Sequence, residues 1–179
     1  MQQHSEKAMP LFITIGFGLF MLGGLFGGMI FEAKSPGQMV SWQIGNTGAI
    51  CASIIAAALL AKHDWHFPSS GFIILGIVHG INFSSLVMDT IDERIFATSA
   101  IVIVPAIFFI NYFKTFPFWV RITGWISSIL FLCMYVRMLT GDFDYGDWSQ
   151  IFSYLAEQIT MVGWVITFWK EYGRNNIQG

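Results

Sequence analysis

QMVSWQIGNTGAICASIIAAALLA, residues 38–61, runs for twenty-four positions without a charged side chain. As a helix at ~1.5 Å per residue it is about 36 Å long, more than the ~30 Å of hydrocarbon in a bilayer. Five further runs share this character: residues 10–31, 71–89, 95–113, 117–139 and 148–169. Turn-forming or charged residues separate them: Lys34, Pro36 and Gly37, then residues 62–68, then Asp92, Glu93 and Arg94, then residues 141–147. The expected fold is therefore all-α, a single polytopic transmembrane domain of six helices joined by short loops. The longest expected loops, 62–70 and 140–147, are too short to fold into anything of their own.

Composition agrees. Of 179 residues, 55% are hydrophobic and 11% charged, against about 45–50% and about 25% in soluble domains. With nine Lys+Arg against eleven Asp+Glu, there is no basic field for a phosphate backbone, and nucleic acid is excluded as a partner. Residues 10–31 are too long for a signal-peptide core, and Phe31, Glu32 and Ala33 offer no cleavage pattern, so this first span is expected to be retained.

Basic residues set the expected orientation, because they are retained on the cytoplasmic side of short loops. Lys7, Lys62, Lys114, Arg121, Lys170 and Arg174 fall on the side of the N-terminus, whereas Lys34, Arg94 and Arg137 fall opposite. Six against three places both termini in the cytoplasm of a cell-membrane protein. Glu32, Asp89, Asp92, Glu93, Asp142, Asp144 and Asp147 then form an acidic external rim. Trp42 and Trp148 at the outer boundary and Trp65, Trp119 and Trp169 at the inner one fit the headgroup preference of indole, and Trp125 and Trp164 read as packing between helices.

Helices in lipid associate through close backbone approach. Gly23 with Gly27 and Gly24 with Gly28 in the first span, Gly76 with Gly80 in the third, and Ala52, Ala56 and Ala57 in the second predict that spans one to three form the tightest part of the bundle. Such faces equally suit contact with a second copy or with another membrane subunit. Membrane lipids are the other expected partners. A shared Thr-Gly-x-Ile, at 47–50 and at 123–126, is the one sequence hint of a three-plus-three inverted repeat. Pro105 near the middle of span four removes a backbone donor and predicts a kink.

Polar residues inside spans are costly and so informative. Glu157 is the one acid within a span, nine residues from the end of span six, or about 14 Å deep. A carboxyl there must face the bundle interior or a hydrated cavity. His79 and Asn82 are three apart on one face of span three, and Gln43 and Asn46 share that spacing in span two. Counting rises places Asn46, Asn82 and Glu157 within about one helical turn of the same depth. His79 by itself reads first as a hydrogen-bonded structural residue, and Gln158, about 100° from Glu157 around the helix, is expected to meet a different helix.

Arg121 and Arg137 lie one turn inside opposite ends of span five. Both suit a lipid phosphate, and Arg137 alternatively suits Asp142 or Asp144. Cys51 and Cys133 are expected as reduced core residues. His63, Asp64 and His66 supply too few ligands to predict a metal. No cofactor is expected either: every Lys lies at a span end, excluding a mid-membrane Schiff base, and His79 has no second intramembrane His with which to ligate haem. HExxH, GxSxG and phosphate-cradling loops are absent. What remains is a transporter or channel for a small solute or ion using Glu157, His79, Asn82, Asn46 and Gln43. An accessory membrane subunit and an intramembrane enzyme acting on a lipid or isoprenoid with Glu157 as acid or base are the alternatives.

Overall fold

The computed structural model describes residues 2–32, 35–87, 93–144 and 146–173. They form α1 (Gln2–Met29), α2 (Pro36–Lys62), α3 (His66–Val87), α4 (Glu93–Tyr112), α5 (Phe118–Thr140) and α6 (Trp148–Phe168), with a π-helical turn, Trp169–Gly173, continuing α6. Lys34, Asp89, Asp92 and Arg174 lie outside the described residues, as do the side chains of Lys7, Glu93 and Arg94. The described chain is all-helical, and five of its six helices are long and apolar enough to cross a membrane. The apolar stretch of α4, Ala97–Tyr112, is shorter, about 24 Å of helix. It nonetheless packs in full between α3 and α5, and the helix continues unbroken through Pro105.

Each helix packs against its sequence neighbours, and α6 returns to α1, so the six close into an up-and-down ring. One end of the ring, here the terminal end, carries the start of α1, the 63–65 turn, residues 113–117 and the end of α6. The other, the acidic end, carries Glu32, Asp142, Asp144 and Asp147.

The helix ends follow local chemistry. Ser35 caps α2 by accepting from the Gln38 amide at 3.3 Å, with Pro36 in the first turn where no N–H is needed. Gly141, in the left-handed region at φ 78°, closes α5, and the Asp147 carboxylate caps α6 by accepting from the Ser149 amide. α3 starts at His66, five residues before the expected boundary, because Pro68 in a first turn breaks nothing. The Ser69 hydroxyl ties that turn to the Ala57 carbonyl at 2.9 Å. The expected 62–70 loop shrinks to a tight turn centred on Asp64, which adopts φ 62° as Asp tolerates. α1 likewise begins well before residue 10.

α1 and α2 meet backbone to backbone. A Cβ on Gly16 would stand 2.5 Å from the Gly48 carbonyl oxygen, and one on Gly23 would stand 2.6 Å from that of Ser41. Gln38 and Ser41 donate across the contact to the carbonyls of Gly27 and Gly23, at 3.0 and 2.9 Å. The glycine pattern is thus informative for Gly23 and Gly27, and for Gly76, whose Cβ would stand 3.5 Å from Ser53 of α2, but not for the other three. Gly24 faces Gln158 of α6, and Gly28 and Gly80 face open space. Helical spacing identifies a face without saying what lies opposite it.

In the half nearer the terminal end, the interior is aromatic. Phe72 stands 5.0 Å from Trp164, 5.9 Å from Phe168 and 6.3 Å from both Phe17 and Phe116, ring centre to ring centre, with all five side chains buried. Cys51 departs from expectation. It lies exposed on the bundle's outer surface, while Cys133 is half-buried.

Candidate functional site

From its acidic end as far as Thr160, one face of α6 is polar. Ser149, Ser153, Glu157 and Thr160 recur at helical spacing, and all four are fully buried. Ser153 and Thr160 hydroxyls donate to carbonyls one turn back, those of Ser149 and Ala156, the latter at 2.8 Å. Glu157 has no such outlet, and neither carboxyl oxygen has a hydrogen-bond partner among the described residues. The His79 ring faces it across the bundle, Nε2 to Oε1 3.8 Å, with both side chains 0% exposed.

The other side of that imidazole is firmly held. His79 Nδ1 lies 3.0 Å from Asn46 Oδ1, while Asn46 Nδ2 donates to the Trp42 carbonyl at 2.9 Å. The Trp42 carbonyl can only accept, so it takes the amide NH₂ and turns Oδ1 toward the ring. His79 Nδ1 must therefore carry a proton. Nε2, the nitrogen facing Glu157, is left as the one that exchanges. Phe20 of α1 packs edge-on against the imidazole at 4.7 Å and seals its flank.

Asn46, His79 and Glu157, from α2, α3 and α6, are thus brought together, nine to ten residues from the acidic ends of α6 and α2. His79 lies past the mid-point of α3 because that helix starts early. Asn82 is buried one turn farther along α3 with its Oδ1 unpartnered, and nothing ties it to the trio. Gln43 is not brought in. With Thr47 and Cys51 it lines an outer groove between α1 and α2, and its carbonyl accepts from Thr47 at 2.8 Å. Neither this groove nor a second one between α2 and α3 touches Glu157 or His79. Gln158 contacts α1 beside Gly24.

The two arginines have protein partners. Arg121 donates through Nε and Nη2 to the last carbonyls of α4, Asn111 and Tyr112, both at 2.9 Å, and lies over the Trp125 ring. Arg137 pairs with the Asp147 carboxylate, also donates to the Asp142 carbonyl at 2.6 Å, and lies over Trp148. Its carboxylate partner is hence neither Asp142 nor Asp144, because the turn after α5 brings the α6 cap closest. Burial pushes the Asp147 carboxyl up, but the Ser149 amide and the Arg137 guanidinium outweigh it and hold the group below the usual carboxylate range. At the terminal end, His66 Nε2 stands 3.8 Å from Asp64 with both side chains exposed.

The polar face of α6 and its neighbour on α5 were not singled out from sequence. The signal lies in the spacing of residues 149, 153, 157 and 160, and it is faint because Ser and Thr in membrane helices so often satisfy themselves on their own backbone. No family model, no curated protein and no solved structure matches this chain.

Proposed function

We propose that the protein moves a small cation across the membrane, with Glu157, His79 and Asn46 as the binding site of a state closed to both sides. The observation that carries this reading is the Glu157 carboxyl, fully buried with both oxygens unpartnered, aimed at the exchangeable nitrogen of His79. A group whose ionised form is so costly in hydrocarbon marks an ion or proton pathway by default. Glu32, Asp142, Asp144 and Asp147 at one mouth support it by concentrating cations there. The enzyme alternative gains an acid–base pair from the same geometry. The two outer grooves give it no support, since both bypass Glu157 and His79. The accessory-subunit alternative loses Gly23, Gly27 and Gly76, which are used within the chain, and rests on Gly28 and Gly80, which face open space.

The test is cation uptake into proteoliposomes under an imposed membrane potential, with protons and alkali cations followed in parallel. Glu157→Gln nearly preserves volume and is expected to leave the thermal midpoint in detergent intact while abolishing uptake. Unchanged uptake in the folded variant, or no uptake by the parent protein, removes the proposal.

A further inference from the structure

Resting on that reading, we infer that the cation is a proton, and that it reaches Glu157 along the hydroxyl-lined seam between α5 and α6 from the acidic end of the bundle. The donor set decides the first half. Hard cations demand several oxygens, six to eight for Ca²⁺ and six for Mg²⁺. Here one carboxyl stands opposite a ring nitrogen, and the remaining oxygen, Asn46 Oδ1, is already taken by His79 Nδ1. Among the described residues no three His, Cys, Asp or Glu side chains come together as a metal would require. A proton needs only the pair. In the transfer the Glu157 O–H bond breaks and an Nε2–H bond forms, leaving carboxylate and imidazolium, while Nδ1 keeps its proton on Asn46. The 3.8 Å gap exceeds a hydrogen bond by about 1 Å, which a carboxyl rotation or one bridging water closes.

The surroundings decide the second half. Toward the acidic end, Ser153 and Ser149 follow Glu157 at four-residue intervals on the buried face of α6. Ser127 of α5 reaches the Ser153 carbonyl at 3.4 Å, the buried Ser149 hydroxyl has no partner among the described residues, and Gln150 accepts from the Gly146 amide at the mouth. Successive hydroxyls at that interval are ~6 Å apart, the span of two hydrogen bonds, so single waters entering the seam complete a relay. Toward the terminal end the route stops. Trp164, two turns beyond Glu157, is clamped among Phe17, Phe72 and Phe116, and its Nε1 is spent on Asn111 Oδ1 at 3.2 Å. That plug offers no group that accepts and passes on a proton. His79 of α3 is the titratable group that faces Glu157 across the bundle. The nearest charges along the seam are Arg137 and Asp147, about 15 Å away at its mouth and paired with each other.

The test uses the full chain with Cys51 and Cys133 replaced by serine, reconstituted in liposomes, and an impermeant cationic thiol reagent. Ser153→Cys is expected to react from the side on which Asp144→Cys reacts, and its modification to stop lumen acidification. Asp64→Cys marks the opposite side. Ser153→Ala, which adds no bulk, is expected to slow proton uptake several-fold without lowering the thermal midpoint. Radioactive sodium uptake is expected to match empty liposomes. Modification of Ser153→Cys only from the Asp64→Cys side, or none at all with proton uptake intact, overturns the route. Sodium uptake that Glu157→Gln abolishes overturns the proton while sparing the proposed site. Indifference of every flux to Glu157→Gln defeats the site itself.

Discussion

Asn46 has an influence out of proportion to its size, because by committing its NH₂ to a backbone carbonyl it dictates which nitrogen of His79 is free. Glu157 and Asn46 stood out in the sequence, since any polar residue in an apolar run needs an explanation and depth follows from counting. The partnership of His79 with Glu157 did not stand out. It depends on α3 facing α6 across the ring, and a helix's own periodicity says nothing about which distant helix it meets. Gln43 was misplaced for the same reason. Asp147 was read only as part of an acidic rim, although as the residue before α6 it doubles as helix cap and as counter-ion for Arg137. That dual role predicts a pH response. The Asp147 carboxyl titrates below its unfolded value of ~3.9, so it stabilises the fold at neutral pH and ceases to do so as pH falls through its native value. Thermal midpoints in detergent are expected to drop on acidification below about pH 5. Asp147→Asn is expected to start lower at pH 7 and to show a shallower drop. Parallel pH profiles for the two proteins would show that the pair contributes nothing.

Helices were the legible elements. Existence and number follow from apolar runs, and the starts of α1 and α3 do not: Pro68 sits in the first turn of α3, and Pro10 lies within α1, eight residues after Gln2. Packing faces were half legible. Gly16 and Gly48, where a Cβ on either would stand 2.5 Å from the other's carbonyl oxygen, fall outside the four-residue pairs named above. The distances yield a contrast that glycine counting could not. Gly16→Leu or Gly48→Leu drives a side chain into a backbone carbonyl and is expected to cost at least the ~1–3 kcal/mol of an overpacked core. Gly28→Leu and Gly80→Leu meet open space and are expected to leave the melting temperature in detergent within error of the parent. Equal losses for all four would mean that helix propensity or lipid exposure, not the α1–α2 contact, governs stability.

At the scale of the whole chain, the even number of helices places residues 2 and 173 at the same end of the ring, and the count of basic residues predicts that this end is cytoplasmic. Cysteines at positions 4 and 176 are expected to resist an impermeant label applied to intact cells, while one at 144 is labelled. The reverse pattern would invert the orientation and, with it, the side from which Glu157 is reached. Three helices followed by three of opposite sense is also the topology an inverted repeat requires. The shared Thr-Gly-x-Ile sits where α2 packs on α1 through Gly48 and where α5 packs on α4 through Gly124 against Asn111. The two contacts differ mechanically. Between Gly16 and Gly48 no side chain intervenes, so α1 and α2 cannot roll over one another without carbonyl striking carbonyl, and they move as a single plank. α5 and α6 touch through Gly163 against Val120, the Ser127 hydroxyl and the Arg137–Asp147 clasp, all of which end in rotatable side chains. Of these two seams the one between α5 and α6 is the more compliant, and the clasp at its mouth acts as its latch.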